Sequence, residues 1–234
     1  MMDNQAPRRS QPRHVGRTYG LRRVLIGLIL GVGLGFRLAP AAPTGAGALF
    51  RFDRDTVIVW RAEMQEAGYD FVVRIAQFEP KRLFEWESSA NQGVVLLDPS
   101  AIQSSRSFQT SKLFSAGSET KSKDETAIWL SKEAFRELAD AGHVQVKLDS
   151  IANTWRIIRR ETVPLQVNRE EVQIPVIVVA DSRGGEWAFY DHPDNPFFVR
   201  HTIRGFTQAI KSITTNRKNT LRWLKESKIR SLTS

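Results

Sequence analysis

From Leu49 onward, apolar and polar side chains alternate with a period of two, and that rhythm admits few folds. Ile58, Trp60, Ala62 and Met64 alternate with Val59, Arg61 and Glu63. Tyr69, Phe71, Val73 and Ile75 alternate with Asp70 and Arg74, and Phe84 and Trp86 alternate with Glu85 and Glu87. Val144, Val146 and Leu148 alternate with His143, Gln145 and Lys147. Successive side chains of a strand point to opposite faces. The pattern therefore predicts strands with one buried and one wet face, as in antiparallel sheets. Further strands are predicted at 93–97, 126–130, 155–160, 163–167, 172–180, 186–191 and 197–203, with "ADSRGGEW" as a turn in which Gly184 and Gly185 can take positive φ.

One helix interrupts the strands. Ser131 is placed to cap "KEAFRELADAG", Glu133 suits the first turn, Ala134, Phe135 and Leu138 form a stripe, and Gly142 closes it. Near the end, Ile203, Phe206, Ile210 and Ile213 keep helical spacing, yet the Ile, Thr and Phe content and the turn-capable Gly205 favour a last strand. The expected fold is mainly β: a curved antiparallel sheet, half-barrel or barrel, with one short α-helix at about 131–141 and a basic C-terminal helical tail. Three segments follow from this reading: 1–48 as a signal peptide or anchor with a small-residue linker, 49–215 as the β-rich domain, and 216–234 as the tail.

The formal charge of +9 invites a nucleic-acid reading, but its distribution argues against one. Residues 1–48 carry seven Arg and one Asp, a net +6; residues 49–199 carry 18 Lys and Arg against 23 Asp and Glu, a net −5; residues 200–234 carry nine against one, a net +8. A nucleic-acid domain shows its basic face on the fold itself, and here the body is acidic. The absence of cysteine excludes disulfides, thiolate metal sites, a Cys nucleophile and a lipid-modified Cys anchor.

Residues 8–23 are Arg-rich, Val24–Phe36 are thirteen residues without a charge, and a small-residue stretch follows. That is the layout of a secretory signal. Thirteen helical residues span only ~20 Å, short of the ~30 Å hydrocarbon core. Ala39-Pro40-Ala41 and Ala46-Gly47-Ala48 both offer cleavage sites, the first with the shorter approach, and Arg22-Arg23 resembles a twin-arginine export motif. An uncleaved anchor with Arg37 near the interface and a mitochondrial transit peptide are the alternatives. The continuous Gly/Leu/Ile block suits an amphipathic transit helix badly, and positive charge stays on the cytoplasmic side. The expected location is across the cytoplasmic membrane: periplasmic, or membrane-anchored and facing outward.

Candidate chemistry is sparse. "DHPDNPFFVRH" (191–201) gathers two Asp, one Asn and two His, but Pro193 and Pro196 stiffen it, Asp194 and Asn195 are turn formers, and two His fall short of a zinc set. It is predicted to be a corner between strands. Glu85 and Glu87 stand about 6.6 Å apart on one strand face, a separation that suits paired carboxylates of a glycosidase, although solvated residues on a wet face account for them too. Ser182 lacks the G-x-S-x-G elbow of a hydrolase. Residues 104–126 hold ten Ser or Thr in 23 positions, so a lid, a binding loop or plain disorder is expected there, disorder being the simplest. Five of the six Trp, namely Trp60, Trp86, Trp129, Trp155 and Trp187, sit in strand-like segments, as core or as the lining of a pocket for an apolar ligand such as an acyl chain. In the tail, Arg217, Lys218, Arg222, Trp223, Lys225, Lys228 and Arg230 make a basic amphipathic stretch able to lie on an anionic membrane surface or, less readily, on nucleic acid.

Three pieces together resemble a known pattern: "IWLSKEAFRELADAGHVQVKLD", "EVQIPVIVVADSRGGEWAFYDHPDNPFFVRHT" and "GFTQAIKSI". The pattern is that of exported bacterial β-rich domains of unknown function, with a W-L-S helix start (Trp129, Leu130, Ser131), an I-P-V strand (Ile174, Pro175, Val176) and a D-x-P-x-N-P corner (Asp191, Pro193, Asn195, Pro196). The likeness covers about residues 126–214. His192 stands where an acidic residue is expected, and Phe197 where Leu is commoner. The resemblance implies an envelope location and a β fold, and brings no catalytic residues. The expected function is a non-enzymatic exported envelope domain that binds an apolar ligand or another envelope protein, with no cofactor and no metal. A carboxylate-based envelope hydrolase and a tail-driven binder of anionic surfaces are the alternatives.

Overall fold

Where the alternation is regular, it becomes strand. The computed structural model describes residues 52–65 and 67–215. In chain order, β1 (Val57–Met64), β2 (Ala67–Gln77), β3 (Arg82–Glu87) and β4 (Gln92–Leu97) form an antiparallel meander. A short helix α1 (Pro99–Ser104) follows, then β5 (Ser107–Phe108), a 3-10 turn (Lys112–Phe114), β6 (Glu119–Ser122) and β7 (Glu125–Thr126). Helix α2 (Lys132–Ala141) leads into β8 (His143–Leu148), which is exposed at its odd-numbered residues and buried at its even-numbered ones. The chain ends in β9 (Ile151–Val167), β10 (Glu170–Asp181), β11 (Glu186–Tyr190), β12 (Phe198–Ile203) and β13 (Phe206–Thr214).

These thirteen strands make one sheet in the order β6-β4-β3-β2-β1-β13-β12-β11-β10-β9-β8-β5-β7. The fold is mainly β. Pairing is antiparallel from β4 to β8 in that order, and the short strands at either edge join in parallel. A turn at Lys123 and Asp124 links edge strands β6 and β7, and the tip of β9 meets the end of β13 where Val167 pairs with Ile213. The strands therefore run round a ring that is not a regular barrel. Inside it lies the main core, with Trp60, Phe84, Trp129, Trp155, Trp187, Phe189 and Phe197 all almost completely buried.

Several expectations need correction. The segments 155–160 and 163–167 form one strand, because Glu161 and Thr162 keep their partners Val176 and Pro175 across the hairpin. Residues 126–130 are not a strand. After Thr126 the backbone turns sharply, with Ile128 at φ +67° and Trp129 N–H donating to the Ala127 carbonyl at 2.7 Å, a strained γ-turn. Among the described residues two α-helices occur, not one; α1 starts on Pro99, whose fixed φ suits a first helical turn. Helix α2 behaves as its sequence demands: the Ser131 hydroxyl accepts from Ala134 N–H, and Gly142 ends it in the left-handed region.

Residues 104–126 are ordered. Hydroxyl-to-backbone bonds hold them: Ser105 Oγ donates to Asp124 O at 2.7 Å, and Ser131 Oγ, at the cap of α2, donates to Ser105 O at 2.7 Å. Phe108 and Leu113 are buried apolar anchors within this run. Their spacing is irregular, so no periodicity announces them. Glu85 is not on a wet face either. Leu83, which shares its side of β3, packs with Val94, Leu96 and Ala76 in a second cluster opposite the main core, and Glu85 is buried with them. The expected amino-terminal segment 1–48 and basic helical tail 216–234 lie outside the described residues.

Candidate functional site: an uncharged aromatic cavity

The ring is packed shut at one end and hollow at the other. At the closed end, Trp129 Nε1 donates to the buried Asn195 carboxamide oxygen at 2.9 Å, and Phe52, Phe78, Phe84 and Phe197 crowd round. The Arg82 guanidinium lies 4.7 Å from the centroids of both the Phe78 and Trp129 rings, and its Nη2 donates to Asp194 O. Burial pushes its pKa down to about 9. The 191–197 corner thus serves as a plug: Asn195 N–H donates to His192 O and Leu130 N–H to Pro196 O, while Tyr190 stacks on His192.

Toward the other end lies a cavity of about 490 Å3. Its walls are aromatic: Phe71 from β2, Trp86 from β3, Trp187 from β11, Phe198 from β12 and Phe206 from β13, closed by Phe108 and Phe114 from the Ser/Thr-rich segment. The strained Ile128 also lines it. Ser88, Ser89 and Asn91, from the β3–β4 turn, contribute polar groups, as do Gln109, Thr110, Ser111 and Gln208. No Asp, Glu, Lys or Arg is among the lining residues. Local chemistry holds the wall in place. Phe114 meets Trp86 edge-on at 5.6 Å and Phe71 at 5.2 Å, and Thr110 is tied through N–H and hydroxyl to the Asp149 carboxylate.

Trp187 and His201 form the polar point of the cavity. The Asp181 carboxylate accepts from Arg183 N–H at 2.7 Å, Gly185 N–H at 2.9 Å and Trp187 Nε1 at 3.1 Å, so the turn aims the indole. Gly185 is required there for space, since a Cβ would stand 2.5 Å from Asp181 Oδ2. Gly184 takes the positive φ expected of that turn. The His201 ring lies flat on Trp187, 3.6 Å between centroids and 12° from parallel, with Phe206 edge-on at 5.9 Å. His201 Nε2 is buried and makes no hydrogen bond among the described residues. Burial pushes its pKa down to about 4, against a smaller opposing pull from Asp181 and Asp149, so the imidazole is neutral at physiological pH.

Of the five strand-associated Trp, Trp86 and Trp187 line the cavity. Trp60, Trp129 and Trp155 are core: Trp60 Nε1 donates to Phe198 O, and Trp155 packs on Phe108, Trp187 and Phe189. Arg217, Lys218, Arg222, Trp223, Lys225, Lys228 and Arg230 lie outside the described residues. Glu85 and Glu87 project from the face of β3 opposite Trp86, away from the cavity, and Glu87 is ion-paired with Arg74 at 3.0 Å. Ser182 donates to Asn153 and does not line the cavity. His192 sits in the corner that precedes β12 and His201 within that strand, and among the described residues no group of three or more His, Asp or Glu is placed to hold a metal ion.

Sequence reading missed the Phe108–Ser111 stretch, Phe114, His201 and Gln208. Phe108 and Phe114 were detectable as two aromatics in a run of Ser and Thr, a composition too greasy for a linker. Nothing local marks His201. Compared with known proteins, the chain matches no protein-family model and no curated protein.

Proposed function

We propose that this chain is a non-enzymatic exported envelope domain that carries an apolar ligand, its ring of strands acting as a distorted barrel round the binding space. The observation behind this reading is the cavity. At about 490 Å3 it falls in the size range of small-molecule sites, and its aromatic walls come from β2 and β3 on one side of β1 and from β11, β12 and β13 on the other. Aromatic side chains contribute large apolar contact at low entropic cost, and their faces suit a chain or ring compound. A space this size takes a single chain or a small ring system, not a two-chain phospholipid. Export is supported by the Arg-rich start ahead of the uncharged Val24–Phe36 and by the small-residue stretch that follows.

The hydrolase reading needs two carboxylates facing a cleft. The cavity has none, and Glu85 and Glu87 point elsewhere. The test of ligand carriage is native mass spectrometry and solvent extraction of the protein recovered from its own cells, with displacement of the fluorescent apolar probe N-phenyl-1-naphthylamine. A bound small molecule and displaceable probe are expected. A protein that arrives bare and leaves the probe dark has no such function. Amino-terminal sequencing of the mature protein in each cell fraction tests the export half.

A further inference from the structure

The make-up of the cavity wall narrows the ligand further, on the premise that the cavity is a ligand site. We infer that the ligand is an uncharged amphiphile whose hydrogen-bonding group is taken inside the cavity, to His201 Nε2, while its apolar body lies among Trp86, Trp187 and the neighbouring phenyl rings.

Two features of the structure carry this. First, none of the seventeen lining residues bears a formal charge. An ionised head drawn into such a space loses its hydration and meets no counter-charge, a penalty that excludes fatty acids and cationic amphiphiles from entering head-first. Second, the wall is not purely apolar. His201 Nε2 is a buried nitrogen without a hydrogen-bond partner among the described residues, in a ring that lines the cavity and lies flat on Trp187. A buried polar atom left unpaired is destabilising, and a ligand hydroxyl or carbonyl at that point relieves the cost. Gln208, the cross-strand neighbour of His201, also lines the cavity and brings both a donor and an acceptor. Since the imidazole is neutral, either ligand polarity is accommodated: one ring nitrogen donates and the other accepts, according to tautomer.

A matched series of one-chain probes tests this on the purified full-length protein at pH 7: decanol, decanoate and decyltrimethylammonium, each competed against N-phenyl-1-naphthylamine. Decanol is expected to bind about tenfold or more tighter than either ion. His201→Phe, which keeps the stack on Trp187, is expected to weaken decanol by about five- to tenfold, and His201→Gln, which keeps a hydrogen-bonding group, by about threefold or less. If decanoate or the ammonium competes as well as decanol, the head stays in water and the inference is overturned, whatever the variants do. Decanol binding untouched by His201→Phe overturns the assignment of His201. If the naphthylamine itself fails to bind the wild-type protein, it is the cavity's role as a ligand site that falls.

Discussion

The two ends of the ring carry the same kinds of side chain, yet one is plugged, largely by residues between the strands, and the other is hollow. At the closed end the rings of Phe52, Phe78, Trp129 and Phe197 interlock with Arg82, and Asn195 is locked onto the Trp129 indole. At the cavity end, Trp86 Nε1 and His201 Nε2 make no hydrogen bond among the described residues. Aromatic content therefore does not separate a core from a binding site. What separates them is how far the loops fill the space. The 191–197 corner brings Asn195 in to Trp129, whereas at the cavity end Asp181 holds the Trp187 indole but no described segment occupies the space among the rings.

The largest expected effect breaks the plug. Trp129→Ala should cost about 4 kcal/mol in urea denaturation, since it removes a fully buried indole and strips both Asn195 and Arg82 of their contact. A loss below about 1 kcal/mol would mean that the closed end is not tightly packed. Gly93→Ala probes the slack at the other end. Its Cβ would lie 2.6 Å from Trp86 Nε1 and 2.9 Å from Ser118 O, pressing the indole toward the cavity. A cost of about 1–3 kcal/mol is expected, with a measurable fall in naphthylamine capacity.

A matched pair then compares the two indoles directly. Trp129→Phe removes a hydrogen bond to buried Asn195 and should cost about 2 kcal/mol, whereas Trp86→Phe removes an unbonded N–H and should cost about 1 kcal/mol or less. Equal costs would erase the distinction between the two ends. pH sharpens it at His201. The folded pKa of about 4 lies below the ordinary 6.5, so between those values the unfolded chain binds more protons. Stability should therefore fall as pH drops from 6.5 to 4, with Asp181 and Asp149 softening the effect, and His201→Phe should flatten that window. The smallest effect is on the outer surface. Arg74→Ala, which breaks the half-exposed pair with Glu87, should change stability by less than about 1 kcal/mol and leave probe binding intact.

The alternation in β1, β2 and β8 was legible because each has one face on the core and one on solvent, and that difference is written residue by residue. It was less legible in β3, where Leu83 and Glu85 share a buried outer face and the pattern still reads as wet. The last strand was read correctly at a point where helical spacing competed, because β-formers and a turn at Arg204 and Gly205 outweighed it. The 104–126 segment left lid, binding loop and disorder all open, because its order comes from hydrogen bonds between positions far apart along the chain, as between Ser131 and Ser105. Of the candidate site, Trp86 and Trp187 could be named in advance but not told apart from Trp60, Trp129 and Trp155, since in the sequence all five sit in the same kind of strand-like context.

By itself, the sequence determined that the body is β, where most of its strands lie, where α2 starts and stops, and that residues 191–197 turn a corner. These are local matters, settled by a residue and its near neighbours. Only the tertiary structure decided that the ring closes through β6 and β7, that Glu85 is buried, and that a hollow without charge remains beside His201. A cavity is the space left over when distant segments have packed, and so it depends on how thirteen strands meet rather than on what any one of them contains.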